Sequence, residues 1–516
     1  MNNFKNALGI NPYLPCTEFI PDGEPRIYSG RLYIYGSHDI YGSKDLCTGD
    51  YVLWSSPITD INDWRYEGVI FERMKDPFVK AIVESEKGNA FNQYLFAPDV
   101  IALNGKYYLY YGIALSGAGI GVAVSDKPAG PYEYLGRVHY PGCQRILGDG
   151  LPMLQLNPFK PHFGINMKNY PYDPSILLDN RRLFMYFGCG NCQMVELDPS
   201  DMLTIIERRD GKGYIYEHLL PVPSTKADKE KIAKDGGWHV ANAPSIRKIN
   251  GLYYLIYYAV NSFGGHALCY SIAKEPEGPF VYSGVLVSLG DGGLPGKKPT
   301  AYTGNTHGGL TKIEGRWYLC YHRQTGDKYP ARQACMAELT MLPDGSFKQA
   351  EFLSQVKKEG GLTAGSEIPA YSACLLTDAT GRTKKRSQSP YFTMSINEGK
   401  PAFQYVTNLT EGAVVGFRYV ELPGRVADIS VKMSNTRNGK IKVYINGTEE
   451  RYVVCEILLT ENTEEREYGG KITIYENAST NCAALYLRFF AQGKSTRFWA
   501  LKITEDMSSL LSFPGR

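Results

Sequence analysis

The sequence predicts an all-β chain, a five-bladed β-propeller followed by a β-sandwich. Three features carry that expectation: a hairpin unit that recurs five times, a Tyr- and Gly-rich composition, and a C-terminal part cut into short alternating runs. The recurring strand reads GRLYIYGS from Gly30, GKYYLYYG from Gly105, RRLFMYFG from Arg181, GLYYLIYY from Gly251 and GRWYLCYH from Gly315. Each run has the length and the β-forming residues of a strand. Upstream lie DGEPRIYS, APDVIALN, DPSILLDN, APSIRKIN and HGGLTKIE, which lead into these strands through tight turns such as Ser-Gly, Asn-Gly or Glu-Gly. Each pair reads as a hairpin. Successive units begin about 64 to 76 residues apart, which suits a four-stranded blade repeated radially and is too long for a solenoid of hairpins.

Further strands are expected near Gly119 and His266, each followed by Gly-Pro punctuation at Gly130-Pro131 and Gly278-Pro279. The run RQACMAELTML from Arg332 is expected to close the propeller together with strands from the N-terminus. In a propeller the opening strand of each blade lines the central channel, and its start sits at one mouth. Asp22, Asp99, Asp173, Asn242 and His307 begin the five units and are therefore expected to meet in one pocket.

Composition narrows the function classes. With 516 residues the chain is long enough for two domains and a large core. Basic and acidic residues nearly balance at 56 and 53, for a net charge of +3, so no global field argues for a nucleic-acid or membrane partner. No run of 18 apolar residues occurs, and the first residues contain no apolar leader core. Eleven cysteines are scattered, several inside apolar strand-like runs; that pattern fits reduced thiols, and a cytoplasmic location is expected. Cys189 and Cys192 form a lone C-x-x-C without the second pair a zinc site needs. The 39 tyrosines fit sheet packing before any binding role.

Around 360–390 the texture turns rich in Gly, Ser, Thr and basic residues, as in a junction. Beyond it FQYVTNLT, AVVGFRYV, DISVKMSN, KIKVYING, KITIYENA, ALYLRFFA and FWALKIT read as strands of a sandwich. Residues 1–365 are expected to form the propeller and 366–516 the sandwich, which serves either as a structural cap or as a carbohydrate-binding module.

The ordered set PDGEPRIYSGRLYIYGSHD, LFAPDVIALNGKYYLYYG, YDPSILLDNRRLFMYFG, APSIRKINGLYYLIYY and THGGLTKIEGRWYLCYHR resembles glycoside hydrolase family 43, over roughly residues 10–360. The tail from about residue 366 is similar, more weakly, to carbohydrate-binding modules of family 6. The resemblance implies an inverting hydrolase of arabinofuranosides, xylosides or related glycosides, with an oligosaccharide as its partner. It implies Asp22 as general base, Asp173 as the aspartate that tunes and orients the acid, and His307 as a channel histidine. Asp99 falls near the substrate, and Arg323 is expected at the pocket rim. No cofactor and no dedicated metal site is required; a structural calcium near His307 is the ion the resemblance allows.

Inverting hydrolysis needs one carboxylate to deprotonate water and one carboxylic acid to protonate the leaving oxygen, about 6.5–9.5 Å apart. A third carboxylate near the acid keeps it protonated. The resemblance places a Glu acid just before the Ala-Pro-Ser-Ile segment, where this chain has Asn242. A carboxamide is no proton donor at neutral pH, and general acid catalysis is worth roughly 10²–10⁴-fold. Three readings follow: another acid is recruited, with His239 the nearest titratable side chain; the pocket binds sugar without cleaving it; or the asparagine is an introduced replacement that traps substrate.

Taken singly, Asp22 in Pro-Asp-Gly and Asp173 before Pro174 read as turn formers, and His307 as a buried hydrogen-bonded histidine. Their order within five matched units favours the functional reading. His38-Asp39 reads as a local structural pair. Trp54, Trp64 and Trp317 suit core packing, whereas Trp238 beside the fourth motif is a candidate for stacking on a sugar face.

Overall fold

The computed structural model describes the chain except residues 1–2, 86–92, 114–117, 144, 150–169, 221–236, 262–264, 292–298, 326–330, 360, 396–401, 475–479, 481 and 507–516. The insertions that separate the repeated hairpins at 141–170 and 72–94 are read from the sequence as shaping the pocket; the first lies largely, and the second partly, outside the described residues.

The architecture is all-β. Among the described residues one α-helix, Pro77–Glu84, is present, capped by the Asp76 carboxylate, which accepts from the Phe78 and Val79 amides. No helix there is long and apolar enough to cross a membrane.

Five antiparallel sheets precede residue 340, and each opens with one of the repeated hairpins. The opening strands are β1 (Glu24–Tyr28), β2 (Leu95–Leu103), β3 (Ser175–Asp179), β4 (Trp238–Ile249) and β5 (Leu310–Ile313). All five hairpins turn through two consecutive residues with positive φ: Ser29-Gly30, Asn104-Gly105, Asn180-Arg181, Asn250-Gly251 and Glu314-Gly315. That geometry matches the twist of the flanking strands and explains the repeated X-Gly. The third hairpin, lacking the glycine, places Arg181 at φ 63°.

The opening strands are tied to one another in sequence order. Arg26 on β1 grips Asp99 on β2 through two hydrogen bonds. The Asp99 carboxylate also accepts from the Ile176 amide and the Ser175 hydroxyl of β3. The Ser175 hydroxyl accepts from the Ile246 amide of β4. Arg247 on β4 donates to the Leu310 carbonyl of β5 and to Glu24 of β1, which returns the ring to its start. Gly308 and Gly309 permit this closure. A Cβ on Gly308 would stand 1.8 Å from the Cys320 carbonyl oxygen, and one on Gly309 would stand 2.4 Å from Glu24.

The run from Arg332 forms the strand Gln333–Leu339 of the fifth sheet. The N-terminal segment laces its edge: the Tyr13 amide donates to the Ala334 carbonyl, and the Asn11 side chain bonds both backbone groups of Met336.

Two further sheets share one apolar core that includes Val406, Phe417, Ile429, Ile441, Leu485 and Phe498. The stretch expected as a junction already belongs to them. Glu367–Pro369 pairs with Arg497–Glu505, and Leu375–Thr377 pairs with Val414–Val420; these strands are too short to show periodicity in a Gly/Ser-rich stretch. All eleven cysteines are unpaired, and nine are buried.

Candidate active site

The residues just ahead of β1 and β3 carry the two candidate carboxylates, each in a left-handed backbone conformation: Asp22 at φ 61° and Asp173 at φ 50°. Non-glycine residues seldom occupy this region, and they do so where the surroundings over-determine it. Asn242 lies on β4 between two register shifts, at Val240/Asn242 and Asn242/Ser245, and Ala243 follows at φ 62°. Such irregularities re-aim a side chain. Here Asn242 is turned toward the third sheet, where its amide donates to Asp173 Oδ2 at 2.9 Å. Cys189 forms an isolated bridge with Asn242, and the Gly190 amide donates to the Ala241 carbonyl. The third and fourth sheets therefore present Asp173 and Asn242 as one unit.

Asp22 has different neighbours. Arg332 lies fully buried, bidentate on Asp39 at 2.9 and 3.0 Å, and its third nitrogen reaches Asp22 Oδ1 at 3.3 Å. The Asp22 amide donates to His322 Nδ1 at 3.1 Å, while His322 Nε2 lies 2.8 Å from the Asn305 carbonyl. Nδ1 is thus an acceptor and Nε2 carries the proton, so the ring is neutral. Burial drives the His322 pKa down to about 4.

These surroundings separate the two aspartates. Burial favours the neutral acid at Asp22, but Arg332 foremost, with a smaller pull from His307, outweighs it and holds its carboxyl below the usual range. At Asp173 burial prevails. Neighbouring Asp22 adds to it, while His307, the Asn242 amide and Arg332 pull back only in part, and the carboxyl is pushed up to about 7. One carboxylate is held ionised and the other retains its proton near neutrality, which is how acid and base roles are divided within one pocket.

His307 stands 3.7 Å from Glu24, and both its ring nitrogens and Glu24 Oε1 are buried without hydrogen-bond partners. Burial lowers the His307 pKa, but Glu24, Asp173 and Asp22 raise it above its ordinary value. Calcium takes roughly 6–8 oxygen ligands. Among the described residues no cluster of three His, Cys, Asp or Glu side chains is arranged to hold an ion, and Glu24 is already held by Arg247. The residues around His307 do not fit a calcium cage.

Three expected contacts find other work. Asp99 is fully buried and spent on Arg26, Ser175 and Ile176, so it is a strut between opening strands and not a substrate contact. Arg323 does not reach a rim. Its guanidinium is buried against the Phe392 ring, donates to the Tyr371 and Ala373 carbonyls, and so ties the fifth sheet to the C-terminal region. His38 and Asp39 are not a local pair: Asp39 holds Arg332, and His38 faces Glu18 at 3.5 Å. Trp238 is half-buried against the core between the third and fourth sheets. Arg332, His322, Glu24 and Arg247 were not singled out from the sequence. The one signal available was a charged residue at the edge of an apolar strand in a channel-forming unit.

Residues 16–148 and 156–347 match the model of the family described as Glycosyl hydrolases family 43. The chain is 35% identical over 511 residues to a xylosidase/arabinosidase of Thermoclostridium stercorarium, covering 94% of this chain and 97% of that protein. It is 26% identical over 341 residues to a xylosidase/arabinosidase of Bacteroides ovatus, covering 60% and 87%. Among solved structures, an arabinoxylan arabinofuranohydrolase from Bacillus subtilis in complex with cellotetraose aligns over 98% of this chain and 99% of that one, at 19% identity and a TM-score of 0.47. On the family match and the full-length relative, the chain belongs to glycoside hydrolase family 43.

Proposed function

We propose that the chain is an inverting glycosidase of xylosides, arabinofuranosides or related glycosides. The observation that carries this reading is the pair of buried aspartates at one mouth, one held ionised and one holding its proton. Asp22 is the base that deprotonates water, and Asp173 is the carboxyl of the acid side. Asn242 stands where the family's glutamic acid is expected and contributes a hydrogen bond instead of a proton. The printed activities of the Thermoclostridium stercorarium and Bacteroides ovatus proteins support the pentoside substrate class.

The five linked sheets are read as blades of a propeller spanning 1–365. The two sheets with a shared core are read as a sandwich spanning 366–516, resembling a carbohydrate-binding module. The free thiols suit a reducing, cytoplasmic setting. A second reading, a propeller that binds glycans without cleaving them, is favoured by the carboxamide at position 242.

The test compares the chain with its Asn242→Glu variant on aryl pentosides and natural oligosaccharides. A hydrolase cleaves aryl pentosides, whose leaving groups need little protonation, and the ratio of natural to aryl rates in the two forms reads how much of the roughly 10²–10⁴-fold acid contribution the residue at 242 leaves to another group. If both forms cleave nothing while calorimetry shows oligosaccharide binding, the binding reading stands instead.

A further inference from the structure

We propose that in this chain Asp173 itself donates the proton to the leaving oxygen, with Asn242 as the residue that positions it. This rests on the hydrolase reading above and names the group that Asn242 leaves unassigned.

The geometry of the Asn242–Asp173 contact is that of an amide gripping one oxygen of a carboxylic acid. The Asn242 amide donates to Oδ2 and so fixes the orientation of the carboxyl, leaving Oδ1 as the oxygen that turns toward a leaving group. The acid proton is assigned to Oδ1, for which the described residues provide no hydrogen-bond partner. Glutamate in place of Asn242 would compete with Asp173 for one proton, as paired carboxylates do. Asparagine removes the competitor and leaves a single acid.

The other titratable groups on this wall are poorer donors. The Cys189 thiol is pushed up to about 12 by burial, and the Tyr172 hydroxyl well above its usual value, too weak to match a task at neutral pH. Among the described residues His239 makes no hydrogen bond to Asp173; the contact that β4 makes with it comes from Asn242. Asp173 has its pKa near 7 while facing Asp22, Arg332 and His307 across the channel, Tyr172 and Cys189 on its own sheet, and Asn242 from β4.

The step balances without a further reactant. The Oδ1 proton passes to the glycosidic oxygen as the C1–O bond breaks and its electron pair leaves with that oxygen. Water adds to C1 from the opposite face and gives its proton to the Asp22 carboxylate. One water is consumed, and the pair exchanges protonation states until solvent resets it.

The experiment is a leaving-group series, from dinitrophenyl to phenyl pentosides and an unactivated oligosaccharide, on the full chain and its Asp173→Asn variant. Circular dichroism confirms that both are folded. If Asp173 is the donor, the chain shows a shallow dependence on leaving group and an alkaline limb in kcat/KM near pH 7. Asp173→Asn then loses roughly 10²–10⁴-fold on phenyl and natural substrates, far less on the dinitrophenyl compound, and loses the alkaline limb. If the chain already depends steeply on leaving group and Asp173→Asn keeps the same slope and pH profile, Asp173 is not the donor, while the hydrolase reading survives. If the chain cleaves not even dinitrophenyl pentosides, both readings fall.

Discussion

The two aspartates of the candidate site are the same residue type and behave oppositely. On the side of the first and fifth sheets, Asp22 sits beside Arg332, which Asp39 locks in place, and beside a histidine whose tautomer offers its lone pair to the Asp22 amide. On the side of the third and fourth sheets, Asp173 meets an amide, a thiol and a tyrosine, none of them charged. Burial is near-complete for both aspartates. It is therefore the direct contact of Arg332 with Asp22, against the weaker pull of His307 and Arg332 on Asp173, that separates the two carboxyls. The backbone strain is shared equally, since both aspartates adopt positive φ; the fold positions the two groups alike, and the second layer of side chains gives them different chemistry.

The comparison breaks most visibly at Asp22. Removing its carboxylate as Asp22→Ala is expected to lower kcat/KM for any pentoside the chain cleaves by about 10²–10⁴-fold, whatever the leaving group, because water activation does not depend on it. Oligosaccharide binding by calorimetry should persist. A loss confined to poor leaving groups would instead place Asp22 on the acid side.

Much of this site was legible before any coordinates. Five Tyr-rich strands, four of them entered through X-Gly turns, specify hairpins almost unaided, because type I′ geometry demands residues that tolerate positive φ. Asp22 and Asp173 stand out in the sequence because each lies just ahead of the opening strand of its unit, the first and the third, and the family resemblance is what gave them roles. What the sequence concealed are the partners. Asp99 falls inside β2, whereas Asp22 and Asp173 precede β1 and β3, and its carboxylate is spent on Arg26, 73 residues away in the chain. Arg323 follows its strand as a rim residue would, but the chain returns with Tyr371, Ala373 and Phe392 to bury it. Arg332 starts an apolar run that reads as an ordinary strand, and only the approach of Asp39 and Asp22, each about 300 positions earlier, makes it the charge that sets the base. Pairings over such separations leave no periodic signature.

Arg332 is the next point of attack. Arg332→Met keeps the bulk but leaves Asp22 and Asp39 buried without their cation, a change expected to cost about 3–5 kcal/mol of stability near neutral pH. Chemical denaturation measures it. The same variant raises the pKa of Asp22. The base must be ionised to act, so the acidic limb of kcat/KM moves to higher pH. An unmoved limb together with lost stability would show that Arg332 supports the fold without setting the base.

The last effect has the opposite sign and tests the other side. Asp173 has its folded pKa raised from 3.8 to about 7. Between those values the folded chain holds a proton that the unfolded chain has released, so stability falls as pH rises from about 4 to 7 and then stays level. Asp173→Asn cannot ionise and still offers an oxygen to the Asn242 amide. Its stability relative to the parent should therefore climb over that same window, by roughly 4 kcal/mol in all. Thermal unfolding of both proteins from pH 4 to pH 8 reads this directly. A gain at Asp173 set against a loss at Arg332 would mean that one aspartate holds its charge through a direct cation contact and the other withholds charge without one. A variant that loses stability evenly at every pH would mean that Asp173 is ionised in the folded chain, and the contrast between the two aspartates would then rest on geometry alone.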